Sequence, residues 1–257
     1  MVSTERVAII SGGMTGIGLA AAKQLLADGV QVAVGARRAQ KPEAVARFRN
    51  ETGGAALVFP LDVTQTESVE AFVGSVTQSL GSPDILVNAA GIYKPAAVID
   101  HTDDLWDDTI NANLSGTFRM IRAVMPAMKA KGWGRIINIA STAAHQGMEG
   151  YAAYCASKAG LLGLGRTVSL EGAPYGITCT SISPTWVETD IVQRSAEAEA
   201  SASGRSKADV LAGYASDNPQ GVLVQPEEVA ALISFLASDA ARAITMEDIQ
   251  INAGSVW

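Results

Sequence analysis

The stretch "RVAIISGGMTGIGLAAAKQLLADG", Arg6 to Gly29, changes character at its centre. Its first part is apolar and β-branched, as a strand buried on both faces should be. Its last part, from Leu19 onward, reads as an amphipathic helix. Between them lie Gly12, Gly16 and Gly18. Glycines there permit a tight turn and a close approach of backbone to a pyrophosphate, whose charge the helix N-terminus meets. A glycine-rich turn alone is weak evidence, because turns collect glycine for structural reasons. Its position between strand and helix strengthens it.

The same alternation continues along the chain. "QVAVGARR", "AALVFPLD", "DILVNAAG", "RIINIAS", "ITCTSISP" and "DIQINAG" follow as short apolar runs separated by helical stretches. This pattern predicts an α/β fold, a doubly wound Rossmann-type parallel sheet covered by helices on both faces. Residues 1–257, 48% of them hydrophobic, suit one large domain, with no repeat or linker to mark a second. From Thr185 to Gln225 the rhythm fails, and "SAEAEASASGRSKAD" carries no strong apolar stripe. It reads either as a solvated helix or as a helical cover over a substrate; its place after the sixth strand favours the cover. Its apolar content predicts weak order without ligand.

The net charge of -7 argues against a nucleic-acid partner. Cys155 and Cys179 lack metal-like spacing, and His101 and His145 have no acidic cluster beside them, so no metal is expected. The opening "MVSTERVAII" runs into a strand with no basic leader or long apolar segment. A cytoplasmic protein with no membrane span is the expectation.

A second stretch carries chemistry. In "GYAAYCASKAG" Tyr154 and Lys158 lie four apart, on one face of a helix that continues to about Pro174. Tyr151 is seven from Lys158 and too far along the axis to touch it. A phenol titrates near ~10, too high for efficient proton exchange at neutral pH. A nearby ammonium would lower that value, which gives Lys158 a reason to follow Tyr154.

Taken together, the chain resembles the short-chain dehydrogenase/reductase family. The resemblance rests on "SGGMTGIG", "LDVT" at Leu61 to Thr64, "NAAG" at Asn88 to Gly91, "NANLSG" at Asn111 to Gly116, "INIAS" at Ile137 to Ser141, "YCASK" at Tyr154 to Lys158, and "SPTWVETD" at Ser183 to Asp190. These fall in the family's order over essentially the whole chain. The resemblance implies that Tyr154 donates or removes the proton, that Ser141 holds the substrate oxygen, that Lys158 binds the nicotinamide ribose, and that Asn113 holds a relay water. It implies cofactor contacts from Gly12, Thr15, Gly16, Ile17, Gly18, Asp62, Val63, Asn88, Ala90, Gly91, Pro184, Val187 and Thr189, besides Tyr154 and Lys158.

Ala36 occupies the position where enzymes preferring NAD place an acid, and Arg37 follows it, which points to NADP(H), with NAD(H) as the alternative. Departures from the family pattern are Ser11 for threonine, Thr15 for a basic residue, Ala89 for asparagine, and Met246 and the "NAG" of Asn252 to Gly254 near the end. Thr185 replaces a glycine after Pro184, so that loop is expected to be remodelled.

Tyr93, His145, Met148, Tyr151 and Trp186, with Ser141, are the expected substrate wall. Their aromatic and soft character suggests a neutral carbonyl or secondary alcohol with a cyclic or aromatic part. A short hydroxy acid of the 3-hydroxybutyrate type is the alternative substrate, and a non-catalytic dinucleotide-binding regulator the alternative class. The family also implies a homotetramer, with helices beginning near Asp103 and Tyr151 at interfaces and "INAGSVW" close to a neighbouring subunit.

Overall fold

Every one of the seven apolar runs becomes a strand of one sheet. The computed structural model describes residues 6–255. The strands are β1 (Val7–Ser11), β2 (Gln31–Ala36), β3 (Leu57–Pro60), β4 (Ile85–Asn88), β5 (Gly134–Ile139), β6 (Ile177–Pro184) and β7 (Asp248–Ile251). They pair in the order β3-β2-β1-β4-β5-β6-β7, all parallel. The nine helices of the described residues are α1 (Gly16–Ala27), α2 (Pro42–Glu51), α3 (Thr66–Leu80), α4 (Asp103–Ile110), α5 (Gly116–Lys131), α6 (Ala152–Gly172), α7 (Asp190–Ser203), α8 (Lys207–Ser216) and α9 (Pro226–Ala237).

Unbroken apolar runs follow from the two-residue period of a strand buried on both sides. Ile10, Val87 and Ile137 pack to one face with Leu25 of α1 and Val229, Ile233 and Leu236 of α9. Their neighbours Ile9, Leu86 and Ile136 pack to the other with Phe72 of α3, Met120 and Val124 of α5, and Val168 of α6. The chain winds outward from β1 to β3, then returns to place β4 on the other side of β1. The reversal opens a crevice beyond the ends of β1 and β4, where ligands of such sheets bind.

Residues 185–225 differ from the expectation of weak internal packing. α7 and α8 have a small core of their own, in which Val192, Ala196, Val210 and Tyr214 are buried. Trp186 stacks on Tyr214 with centroids 4.1 Å apart. Lys207 pairs with Glu197 at 2.5 Å and Arg205 with Glu199 at 3.2 Å. Few apolar residues were needed, because one aromatic stack covers the seam.

After Pro184 the chain continues the sheet without a glycine-only conformation. Pro184 lies inside β6, and Thr185 extends the ladder by donating its N–H to Ile251 O at 3.1 Å. Its hydroxyl donates to Asn218 Oδ1 at 3.0 Å. Thr185 is not in the left-handed region; among the described non-glycine residues only Met246 (φ 67°) and Ala253 (φ 48°) are. The strain of losing glycine therefore sits at the approach to β7 and just after it. Met246→Gly should raise stability by roughly 0.5–1 kcal/mol, the relief of a left-handed backbone less the extra freedom of an unfolded glycine. Met246→Val should lower it, since a β-branched residue is worse there. Urea unfolding midpoints compare the three proteins; a lower midpoint for the glycine variant would mean that the 39%-exposed methionine side chain outweighs the strain.

Candidate active site

The glycine turn meets the end of β4 at van der Waals limits. Gly12 (φ 72°) donates its N–H to Gly35 O at 2.8 Å, and a Cβ on it would fall 2.8 Å from Ala90 backbone atoms. A Cβ on Gly18 would lie 2.5 Å from Gly12 O. No side chain caps α1, and no acid lies in its first turn, so its N–H groups face the crevice without internal competition. Thr15 stands at the N-cap with its hydroxyl unused in capping. Ile17 packs partly into the core. Gly16 (φ 53°) touches the start of α7, where its Cβ would come 3.1 Å from Thr189 Cγ2.

The ends of β4 and β3 supply further polar groups. Asn88 Nδ2 donates to Asn138 Oδ1 at 2.9 Å, while Asn88 Oδ1 is buried without a partner. An orphaned acceptor beside an uncapped helix start fits a dinucleotide, which would bring donors to the one and phosphates to the other. Asp62 spends Oδ1 on the turn that follows it, accepting from Thr64 N at 3.0 Å and Thr64 Oγ1 at 2.7 Å. Val63 beside it is buried, and its carbonyl accepts from Arg119 at 3.2 Å. The bridge between Val187 and Val224 is closed by Glu188 N to Val224 O and Val224 N to Trp186 O, leaving Val187's own backbone groups outside it. Thr189 Oγ1 accepts from Val192 N at 3.5 Å as the cap of α7.

Tyr154, Ser141 and Lys158 come together at the carboxyl end of β5. The Ser141 side chain faces the Tyr154 phenol. Ser141 Oγ accepts from Ala143 N at 3.1 Å, which fixes its rotamer at the end of the strand. Lys158 Nζ donates to Ile139 O at 2.7 Å and lies 5.6 Å from the Tyr154 ring centroid. Burial pushes the Tyr154 phenol up from its ordinary value, opposed by the polar Ser141 side chain, and lowers Lys158 to about 8. The expected depression of the phenol by Lys158 is not seen. The ammonium is itself desolvated and turned to a carbonyl, so it does little for the ring above it.

Asn113 lies in a π-helical turn, Asn111–Ser115, between α4 and α5. Its Oδ1 accepts from Ile92 N at 2.8 Å, and its Nδ2 donates to Ile92 O at 2.9 Å and Ser157 Oγ at 3.0 Å. That side chain is engaged in holding the loop after β4 to α6. Gly91 lies between the parts: a Cβ there would come 3.3 Å from Asn113 Oδ1 and 3.8 Å from Lys158 Nζ.

The enoyl-(acyl carrier protein) reductase family model matches residues 12–255. The chain belongs to the short-chain dehydrogenase/reductase family. Its members are nicotinamide-dependent oxidoreductases acting on CH–OH groups, and this chain is one of them. A Streptomyces virginiae protein named as a ketoacyl reductase of the monensin polyketide synthase is 41% identical over 98% of this chain and 97% of its own. The 3-oxoacyl-[acyl-carrier-protein] reductase FabG of Salmonella typhimurium is 35% identical, over 97% and 96%. Among solved structures, a variant actinorhodin polyketide ketoreductase with NADPH superposes with a TM-score of 0.92 at 34% identity, covering 99% of this chain and 98% of that one.

Within the short-chain dehydrogenase/reductase frame, the expected pocket residues separate. Tyr93, Tyr151 and Tyr154 form one aromatic group, with Tyr93 and Tyr151 stacked at 4.6 Å. Met148 accepts from Tyr151 N at 3.1 Å through its carbonyl and helps to seat that ring. Trp186 faces Tyr214 of the α7/α8 cover and donates Nε1 to Asp217 at 3.3 Å. His145 is bound elsewhere: its Nε2 lies 2.6 Å from Asp248 Oδ2. The same carboxylate accepts from Ser183 Oγ at 2.7 Å, one residue before the end of β6, so His145 is tied to the end of the sheet. An acid that appears a hundred positions later gave no local signal of this.

Two further residues were not read from sequence. Arg38 and Arg47 line a cleft of about 660 Å3 with Thr15, Gly16 and Thr189. Arg37 is exposed at the end of β2 and makes no ion pair among the described residues.

Proposed function

We propose that the protein is an NADP(H)-dependent ketoreductase, reducing a neutral ketone with a cyclic or aromatic part to a secondary alcohol. The observation that carries this is the meeting of Tyr154, Ser141 and Lys158 at the end of β5, with Lys158 Nζ 5.6 Å from the Tyr154 ring centroid, at the crevice the glycine turn opens onto. NADP(H), when bound, supplies hydride to the carbonyl carbon or takes it back. Ser141 holds the carbonyl oxygen, and Tyr154 gives it a proton as negative charge develops there. Burial keeps the phenol protonated until then, which is the form that reduction requires. Lys158, titrating near 8, restores the proton through an intervening hydroxyl or water. Asn113 fixes the loop that carries Gly91 and Ile92, and offers a relay water its main-chain carbonyl, which already accepts from Thr117 Oγ1 at 2.9 Å. α7 and α8 close the substrate side.

Homotetramer assembly is consistent with the exposed Phe118 of α5 and Leu170 of α6, while Val256 and Trp257 of the expected subunit contact lie outside the described residues. No helix of the described residues is long and apolar enough to cross a membrane, and both cysteines are unpaired, as a cytoplasmic enzyme allows.

A panel of cyclic, aromatic and aliphatic ketones assayed with NADPH and with NADH tests the reading. Oxidation of neither cofactor by any ketone would overturn it. Cofactor choice rests on Arg37 and the missing acid at Ala36. A guanidinium on a 2′-phosphate makes charge-assisted bonds of about 1.5–3 kcal/mol, so Arg37→Ala should weaken kcat/KM for NADPH by roughly ten- to a hundredfold and change NADH little. Adding Ala36→Asp should shift preference further toward NADH by repelling the phosphate and accepting from ribose hydroxyls. An unchanged ratio in Arg37→Ala would return the assignment to NAD(H).

A further inference from the structure

Two tyrosines that take no part in proton transfer stand beside Tyr154. Tyr93 comes from the segment after β4, and Tyr151 immediately precedes α6. Their rings stack 4.6 Å apart at 13°, and the Tyr93 hydroxyl donates to the Tyr151 hydroxyl at 2.7 Å. The backbone locks the same junction: Ala96 N donates to Gly150 O at 3.0 Å, and Ala96 bridges Tyr151. Both rings meet Tyr154 edge-on, with centroids 6.0 and 6.2 Å away. Tyr151 cannot turn aside without losing the stack and the bond.

Two phenols that share one hydrogen bond keep one O–H unused. With Tyr93 as donor, that O–H belongs to Tyr151. Burial pushes the Tyr151 phenol far above its ordinary range, so the proton stays in place. The other charges that reach Tyr151 are those of further phenols, Tyr214 on the cover and Tyr154, and none is a cation. A carboxylate there would be desolvated with no counter-charge, whereas an uncharged oxygen would meet a ready donor.

We infer that Tyr151, held by Tyr93, is a specificity-determining residue that donates a hydrogen bond to a second, uncharged oxygen of the substrate, next to the carbonyl that Tyr154 protonates. The inference rests on the ketoreductase reading. It narrows the substrate to ketones bearing a neighbouring neutral oxygen and disfavours free keto acids.

The test measures kcat/KM with NADPH for ethyl 3-oxobutanoate, 3-oxobutanoate and 2-hexanone, in wild type, Tyr151→Phe and Tyr93→Phe. Wild type should prefer the ester to both others. Tyr151→Phe should lower the ester-to-hexanone ratio about tenfold, as expected for one lost hydrogen bond. Tyr93→Phe keeps the stack and should lower it severalfold, because the Tyr151 hydroxyl is then less well oriented. A ratio unmoved in both variants, or a wild type that prefers the free acid, overturns the inference and leaves ketone reduction standing. Reduction of none of the three by wild type, with NADPH or NADH, overturns the inference, while the ketoreductase reading falls only if the panel of cyclic, aromatic and aliphatic ketones also fails.

Discussion

Tyr154→Phe should lower kcat for ketone reduction by roughly 10²–10⁴, the span over which a positioned general acid contributes. The substitution deletes one oxygen and leaves the ring between Tyr93 and Tyr151. Cofactor affinity, followed by quenching of protein fluorescence, should stay within a few-fold of wild type. Ser141, which faces the lost hydroxyl, keeps Ala143 N as a donor to its Oγ, so folding should change little. Near-full turnover in Tyr154→Phe, with turnover lost in Tyr151→Phe, would show that the proton comes from the other tyrosine.

Lys158→Met should abolish efficient turnover and also change how stability depends on pH. Burial lowers the lysine from 10.5 to about 8 in the folded protein. Below pH 8 it is charged folded or unfolded, and the folded state bears the whole cost of the buried ammonium. Between 8 and 10.5 the folded form loses its proton while the unfolded form keeps it, so wild-type stability gains from this residue as pH rises. Above 10.5 the cost is gone. Methionine never carries it, although it gives up the bond to Ile139 O. Relative to wild type, the variant should therefore be better by on the order of 2–3 kcal/mol at pH 7 than at pH 10.5. Urea unfolding at the two pH values measures this; a difference between the proteins that does not move with pH would mean that Lys158 is well solvated or well paired in the native state.

How far the sequence carries can be seen residue by residue. The inner strands were legible because they are buried on both faces, β6 at all eight positions, while the edge strands β3 and β7, only partly buried, were legible from the same alternation with helices. Tyr154 and Lys158 were legible because helical spacing is local. What was not legible depends on distance in the chain. The tie of His145 to Asp248, from β7, had no local signal. Nor had the bonds that the Asn113 side chain makes to Ile92 and Ser157. Thr185 extends the sheet through partners as distant as Ile251 and Asn218. The depression of Tyr154 by Lys158 was a pairwise argument that left out burial, which acts on both groups at once.

The central claim is that hydride passes from NADPH to a carbonyl carbon while Tyr154 protonates the oxygen. Turnover of ethyl 3-oxobutanoate with NADPH carrying deuterium at both C4 positions tests it most directly, with mass spectrometry of the product alcohol. Each alcohol molecule should carry one deuterium, on the former carbonyl carbon, and the rate should fall by roughly 10²–10⁴ in Tyr154→Phe. Alcohol that forms without the label, or labelled alcohol formed equally fast by Tyr154→Phe, would contradict it.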